Sequence, residues 1–166
     1  MTWLPRLATV LLLAAPAATA GGDNGFARLS LKGLKGIYVL VEPLEADVEQ
    51  GGLTKTSIQT DVELKLRQAG IAVLTEAEAH AAAGEPFLQI NVTTTSGPLY
   101  AYSITVELCQ TVRLDRDPSI LVVGATTWSA AEVGTVSRGS LRSVRDKIKD
   151  HVDMLVNAYL SVNPKN

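Results

Sequence analysis

The stretch Tyr100-Ala-Tyr-Ser-Ile-Thr-Val-Glu-Leu-Cys-Gln-Thr-Val-Arg-Leu114 decides the fold. Tyr100, Tyr102, Ile104, Val106, Leu108, Val112 and Leu114 fall on one side of an extended chain, and Ala101, Ser103, Thr105, Glu107, Cys109, Thr111 and Arg113 on the other. Side chains alternate across a strand, so this pattern predicts a sheet with one covered face and one wetter face. Just upstream, Phe87–Thr95 repeats the alternation, with Leu88, Ile90 and Val92 against Gln89, Asn91 and Thr93. Ser96-Gly97-Pro98 turns the chain between the two. Downstream, Asp115-Arg-Asp-Pro-Ser119 makes a second turn into a last strand over Ile120–Trp128, which can extend to Val136.

The remaining elements supply what covers the apolar face. Ile37–Val41 is a β-branched apolar run between Gly36 and Pro43, which predicts a buried strand. An acidic loop with Glu42, Glu45, Asp47 and Glu49 follows. Thr54, Thr56 or Ser57 can then cap a helix whose stripe is Ile58, Val62, Leu66 and Ala69, with Gly70 as its stop. Ile71–Leu74 is a short second strand, so strand, helix and strand form a parallel crossover. Glu76–Ala83 reads as a short helix. Ser140 opens the final helix, in which Leu141, Val144, Ile148, Val152, Leu155, Tyr159 and Val162 recur at steps of three and four, and Pro164 stops it. The order β-α-β-(α)-β-β-β-α predicts an α+β two-layer sandwich, one mixed sheet with two long helices on one face.

The first residues set the expected address. Met1-Thr-Trp-Leu-Pro-Arg6 carries one cation, Leu7–Ala18 is apolar, and Ala18-Thr19-Ala20 is a small-x-small site, so residues 1–20 read as a signal peptide cleaved between Ala20 and Gly21. Residues 21–33 read as a flexible leader and 34–164 as a single domain. The apolar run is too short to span a bilayer, and no transmembrane helix is expected in the mature chain. The expected location is therefore periplasmic or secreted. Loss of Arg6 with the signal moves the net charge from −2 to −3, which gives no electrostatic footprint for nucleic acid. Cys109 is the only cysteine, so no disulfide forms within the chain, and Gly21 stands where a lipoprotein would need cysteine.

This element order, with export, resembles the amino-terminal domain of the Tol-system translocation protein B and the lipoproteins that activate penicillin-binding proteins. The ending His151-Val-Asp-Met-Leu-Val-Asn-Ala-Tyr-Leu-Ser-Val-Asn-Pro164, after Thr126-Thr-Trp128, is similar to an uncharacterised group of exported bacterial proteins. The resemblance covers residues 34–164 and implies an adaptor or accessory domain with no catalytic residues to transfer. The chain departs from the lipoprotein members in lacking the lipid-anchoring cysteine.

No constellation of reactive residues emerges from the spacing. Gly134-Thr-Val-Ser137-Arg-Gly139 is one residue too long for a nucleophile elbow. Cys109 lies on the strand face opposite the helices expected to carry both histidines. His80 has no grouped ligands, and His151 and Asp153, two apart on a helix, point in different directions. Asp115, Asp117 and Ser119 open like a calcium loop but lack its glycine and closing glutamate. Gly33 and Gly36 precede a strand and make no phosphate loop. No metal site and no cofactor are expected.

Three surface features remain as candidate binding sites. Arg138, Arg142, Arg145 and Lys149 form a basic stripe at the start of the last helix, where cations oppose the helix dipole and suit an anionic partner. Gln89, Asn91, Glu107 and Arg113, with Thr93 and Thr105, make a polar sheet face. Trp128 sits near a strand end among Thr126, Thr127 and Ser129, where it can pack on the last helix or stack on a ligand. The leading expectation is a periplasmic, non-enzymatic accessory or adaptor domain. It would bind an envelope protein or anionic envelope component through the polar face, the basic stripe or an edge strand. The alternative is a small-ligand binding module built on the polar face and Trp128, and a third reading is a hydrolase with dispersed residues.

Overall fold

The computed structural model describes residues 22–164 apart from Ser96 and Pro98, so the expected signal peptide lies outside the described residues. Five strands form one mixed sheet: β1 (Ile37–Val41), β2 (Val73–Leu74), β3 (Phe87–Thr94), β4 (Leu99–Leu114) and β5 (Asp117–Ser137). Their spatial order is β2-β1-β3-β4-β5. β1 is parallel to both β2 and β3, and β3, β4 and β5 run antiparallel in turn. The helices are α1 (Gly25–Leu29), α2 (Ala46–Gln50), α3 (Lys55–Gln68), α4 (Glu76–Ala81) and α5 (Arg142–Val162). This is the expected α+β fold, with helices packed on the sheet.

One face of the sheet carries the core. Ile37, Val39, Leu88, Ile90, Ile104, Val106 and Leu108 meet Ile58, Val62 and Leu66 of α3 and Val144, Ile148, Val152 and Leu155 of α5. Both long helices therefore lie on the same side, as the two apolar stripes require. Thr54 is the residue that caps α3, its hydroxyl accepting from Ser57 N at 3.2 Å, and Gly70 ends the helix with φ 81°. Asp61 of α3 and Arg145 of α5 tie the helices together in a two-point ion pair, with Nη2···Oδ1 at 2.6 Å.

Four local expectations are corrected. Segment 22–33, expected as a flexible leader, is a docked element: Asn24 caps α1 through Phe26 N and Ala27 N, and Leu31 is fully buried in the core. Leu31 joins the core with Ala27 packed beside it, and Gly33 N donates to Asn163 Oδ1 at 2.7 Å. The acidic loop contains α2, which buries Val48. Ser140 does not cap α5; it lies in a 3-10 turn over Arg138–Ser140, and Leu141 precedes the helix without a side-chain cap. The last strand is 21 residues long and reaches Ser137, because it pairs with β4 beyond both ends of β3.

α4 sits apart from the other helices. Tyr38 and Leu40 alternate with the core residues of β1, so they point to the outer face, and Ala79 and His80 of α4 line a cavity with them. His80 therefore shares the outer side with Cys109, which pairs with outward-facing Phe87, contrary to the expected separation.

Candidate functional site

The outer face divides into a covered half and an open half. Over β1, β2 and the start of β3 lies α4. The far part of β4 and β5 forms an arm that outruns β3, since β3 starts at Phe87, opposite Cys109. Register shifts interrupt the β4–β5 pairing at Leu108/Cys109, Gln110/Val112 and Arg113/Leu114. Extra residues on one strand bend and twist a ribbon, and Gly124 accommodates the bend with φ 67°. A β-carbon at Gly124 would lie 3.6 Å from Phe87 Cζ, although β4 lies between their two strands in the sheet order. The arm thus curls over the outer face.

Part of the expected polar face is contiguous. Gln89 and Glu107 are cross-strand partners, and Asn91 is opposite Thr105 one step along. Gln89 donates to Glu42 Oε1 at 2.7 Å, and Thr126 donates to Glu107 Oε1 at 3.5 Å, so internal contacts already engage both groups. Asn91 and Thr93 are exposed. Arg113 is not with them: it lies on the arm, donating to Pro118 O at 2.9 Å.

Trp128 is corrected outright as a stacking surface. It is 1 % exposed, pairs with Leu108 on the core side, and donates its indole N–H to Asp23 Oδ1 at 3.1 Å. Thr127 is the extra residue of the bulge, which turns Trp128 inward, and its hydroxyl donates to Leu108 O. Asp23 also takes both arms of Arg28 at 2.8 Å, and that guanidinium holds its carboxyl below the usual carboxylate range.

The basic stripe is half neutralised. Arg145 is occupied by Asp61, whose carboxyl this pairing holds low. Lys149 pairs with Asp146 at 2.6 Å. Arg138 and Arg142 stay exposed, the second lying over Gly52, where an added β-carbon would come 2.9 Å from its Nε. Cys109 is buried, and burial pushes its thiol up. Among the described residues no group of three or more His, Cys, Asp or Glu side chains is placed to hold a metal ion. No helix of the described residues is long and apolar enough to cross a membrane.

Two features escaped the sequence reading. The first is the outer edge of β5, where only Asp117 and Glu132 are charged and the amino-terminal segment touches the middle alone, Gly22 N donating to Ser129 Oγ at 3.3 Å and Ser30 Oγ to Thr127 O at 3.4 Å. Ile120, Leu121 and Val123 are exposed on the arm, the last at 70 %. Phe26 of α1, 88 % exposed, walls an open groove with Thr126–Ser129 of the same strand. The strand's unusual length and scarcity of charge were the available signals. The second is the cavity beneath α4, signalled only by Gly84-Glu85-Pro86.

No family model and no curated protein matches the chain.

Proposed function

We propose that this protein is an exported, non-enzymatic binding module that captures an extended segment of another envelope protein along the outer edge of β5. The carrying observation is that edge: a long outer strand with two charges and a protruding apolar arm. Exposed edges offer a row of unpaired N–H and C=O groups, and stable monomers blunt them with lysine, proline or short length. Here Pro118 lies at the strand's very start and no lysine is present. An added strand would gain main-chain hydrogen bonds from β5, with Phe26 and Leu121 giving side-chain selectivity. The basic stripe is the weaker support, since Arg145 and Lys149 already have carboxylate partners. Burial of Trp128 removes the site on which a stacking small-ligand module would have stood.

A photo-crosslinking residue at position 26 or 121, introduced in intact cells, should give one discrete adduct in the envelope fraction. The same residue at Lys32 should give none. Leu121→Lys and Phe26→Lys should each abolish the adduct while the protein keeps its melting temperature. An adduct pattern unchanged by both substitutions sinks strand capture. The export reading is checked separately by the amino terminus of the accumulated protein, expected at Gly21.

A further inference from the structure

Beneath α4 the outer face holds a half-open cavity of about 160 Å³ walled by Tyr38, Leu40, Phe87 and Val123, with Glu76, His80 and Glu85 also lining it. An apolar cavity of about 150 Å³ takes a benzene ring, so the space suits one ring or a short alkyl chain. Its walls are mostly apolar or aromatic, and its polar groups include the Glu76 and Glu85 carboxylates and the His80 imidazole. Glu85 is the informative residue. It adopts φ 44°, the one non-glycine in the left-handed region among the described residues. Such a conformation costs on the order of 1 kcal/mol or more and persists only where the surroundings impose it. Those surroundings are explicit: Glu85 N donates to Ala82 O at 3.0 Å, and Gly84 O accepts from Thr111 N at 2.7 Å. The backbone is held in a disfavoured state that puts a carboxylate beside an aromatic pocket. One oxygen accepts from Thr111 Oγ1 at 3.5 Å, while the other lies 3.2 Å from His80 Nδ1. His80 Nε2 in turn lies 4.0 Å from Glu76 Oε1.

We propose that this cavity is a binding site for a small organic amine, with its apolar body between Tyr38, Leu40 and Phe87 and its ammonium on Glu85. Charge complementarity selects the cation: two carboxylates line the cavity beside a single imidazole. Aromatic walls favour the same sign, because ring faces attract cations. His80 occupies the position on Glu85 that the ammonium would take, so the imidazole is a competitor that must swing aside. Its place on a short, exposed helix makes that displacement easy. The site shares Val123 with the β5 arm but needs neither Phe26 nor Leu121, so its test and that of strand capture fail separately.

Benzylamine is the probe, with benzyl alcohol and benzoate as neutral and anionic counterparts of similar shape. Titrated into the full mature chain and followed by amide chemical shifts, benzylamine should saturate with a Kd in the millimolar range or tighter. Shifts should centre on residues 38–40 and 79–87. Benzyl alcohol and benzoate should bind at least about tenfold more weakly. Glu85→Gln should weaken benzylamine about tenfold with the melting temperature held, whereas His80→Ala should strengthen it. Should Glu85→Gln shift the fold, Glu76→Gln serves as the second variant, with a smaller loss expected. Absence of saturation, equal binding of the alcohol, or a loss in His80→Ala matching that in Glu85→Gln would each overturn the proposal.

Discussion

The indole N–H of Trp128 donates to the carboxylate of Asp23 at 3.1 Å, across 105 residues of sequence. This contact closes the amino-terminal segment over the middle of β5 and gives the one polar atom of a buried tryptophan its partner. Asp23 is held for the task by Arg28, which takes both carboxylate oxygens.

Asp23→Ala should leave the indole N–H unpaired and let α1 lift. An unsatisfied buried donor costs about 1–3 kcal/mol, and loosening of the cover lets water reach the ring. With residues 1–20 removed, Trp128 is the only tryptophan, so its emission should shift to the red and the urea midpoint should fall. Unchanged emission would show that Leu31 alone seats the segment.

Asp61 and Arg145 set a pH dependence. The guanidinium of Arg145 depresses the Asp61 carboxyl below its unfolded value of about 4, so the pair stabilises the fold at neutral pH. That contribution is lost as pH falls below about 4 and through the lower folded value. Arg145 is more than a third exposed, so solvent screening limits the pair to about 1 kcal/mol. Asp61→Asn should lower stability by about that amount at pH 7 and flatten the acid limb of a urea-midpoint series. Asp23, also depressed, should leave part of that limb in place.

Gly134 faces Tyr102 at a distance that leaves no room for a side chain: an added β-carbon would come 2.6 Å from the ring. Gly134→Ala should therefore push Tyr102 off Glu132, to which its hydroxyl donates at 3.2 Å. Overpacking of this kind costs about 1–3 kcal/mol. Burial and the Glu132 carboxylate hold the Tyr102 phenol above its ordinary pKa. Its ultraviolet titration should move back toward the ordinary value in Gly134→Ala.

Cys109 should be slow to react. It is buried on β4, and desolvation raises its thiol, which starves it of the reactive thiolate. Labelling with a disulfide reagent at pH 8 should follow unfolding and become fast in urea. Rapid labelling of the native protein would require the arm to open between Cys109 and Thr126.

The elements legible in the sequence were those with long, local periodicity. Alternation from Tyr100 to Leu108 located the central strand and its two faces, and the three-and-four stripe of Val144 through Leu155 located α5. What stayed hidden depends on contacts far apart in the chain. Nothing near Leu31 announces that it fills the core, because the space exists only between α5 and the sheet. Trp128 could be read either way, since one bulge residue at Thr127 decides which face it takes. Alternation also cannot reveal which strand ends at an edge, so the open side of β5 required the sheet order. The polar face was only partly legible. Gln89, Asn91 and Glu107 come together because register follows the hairpin, whereas Arg113 lies past the end of β3 and leaves with the arm.

Asn163 joins the end of α5 to the segment after α1, donating to Leu31 O at 3.0 Å and accepting from Gly33 N. These two bonds bolt the end of the long helix to the strap that carries Leu31, so helix and strap must dock or detach as one unit. Cutting that bolt with Asn163→Ala should free both ends together.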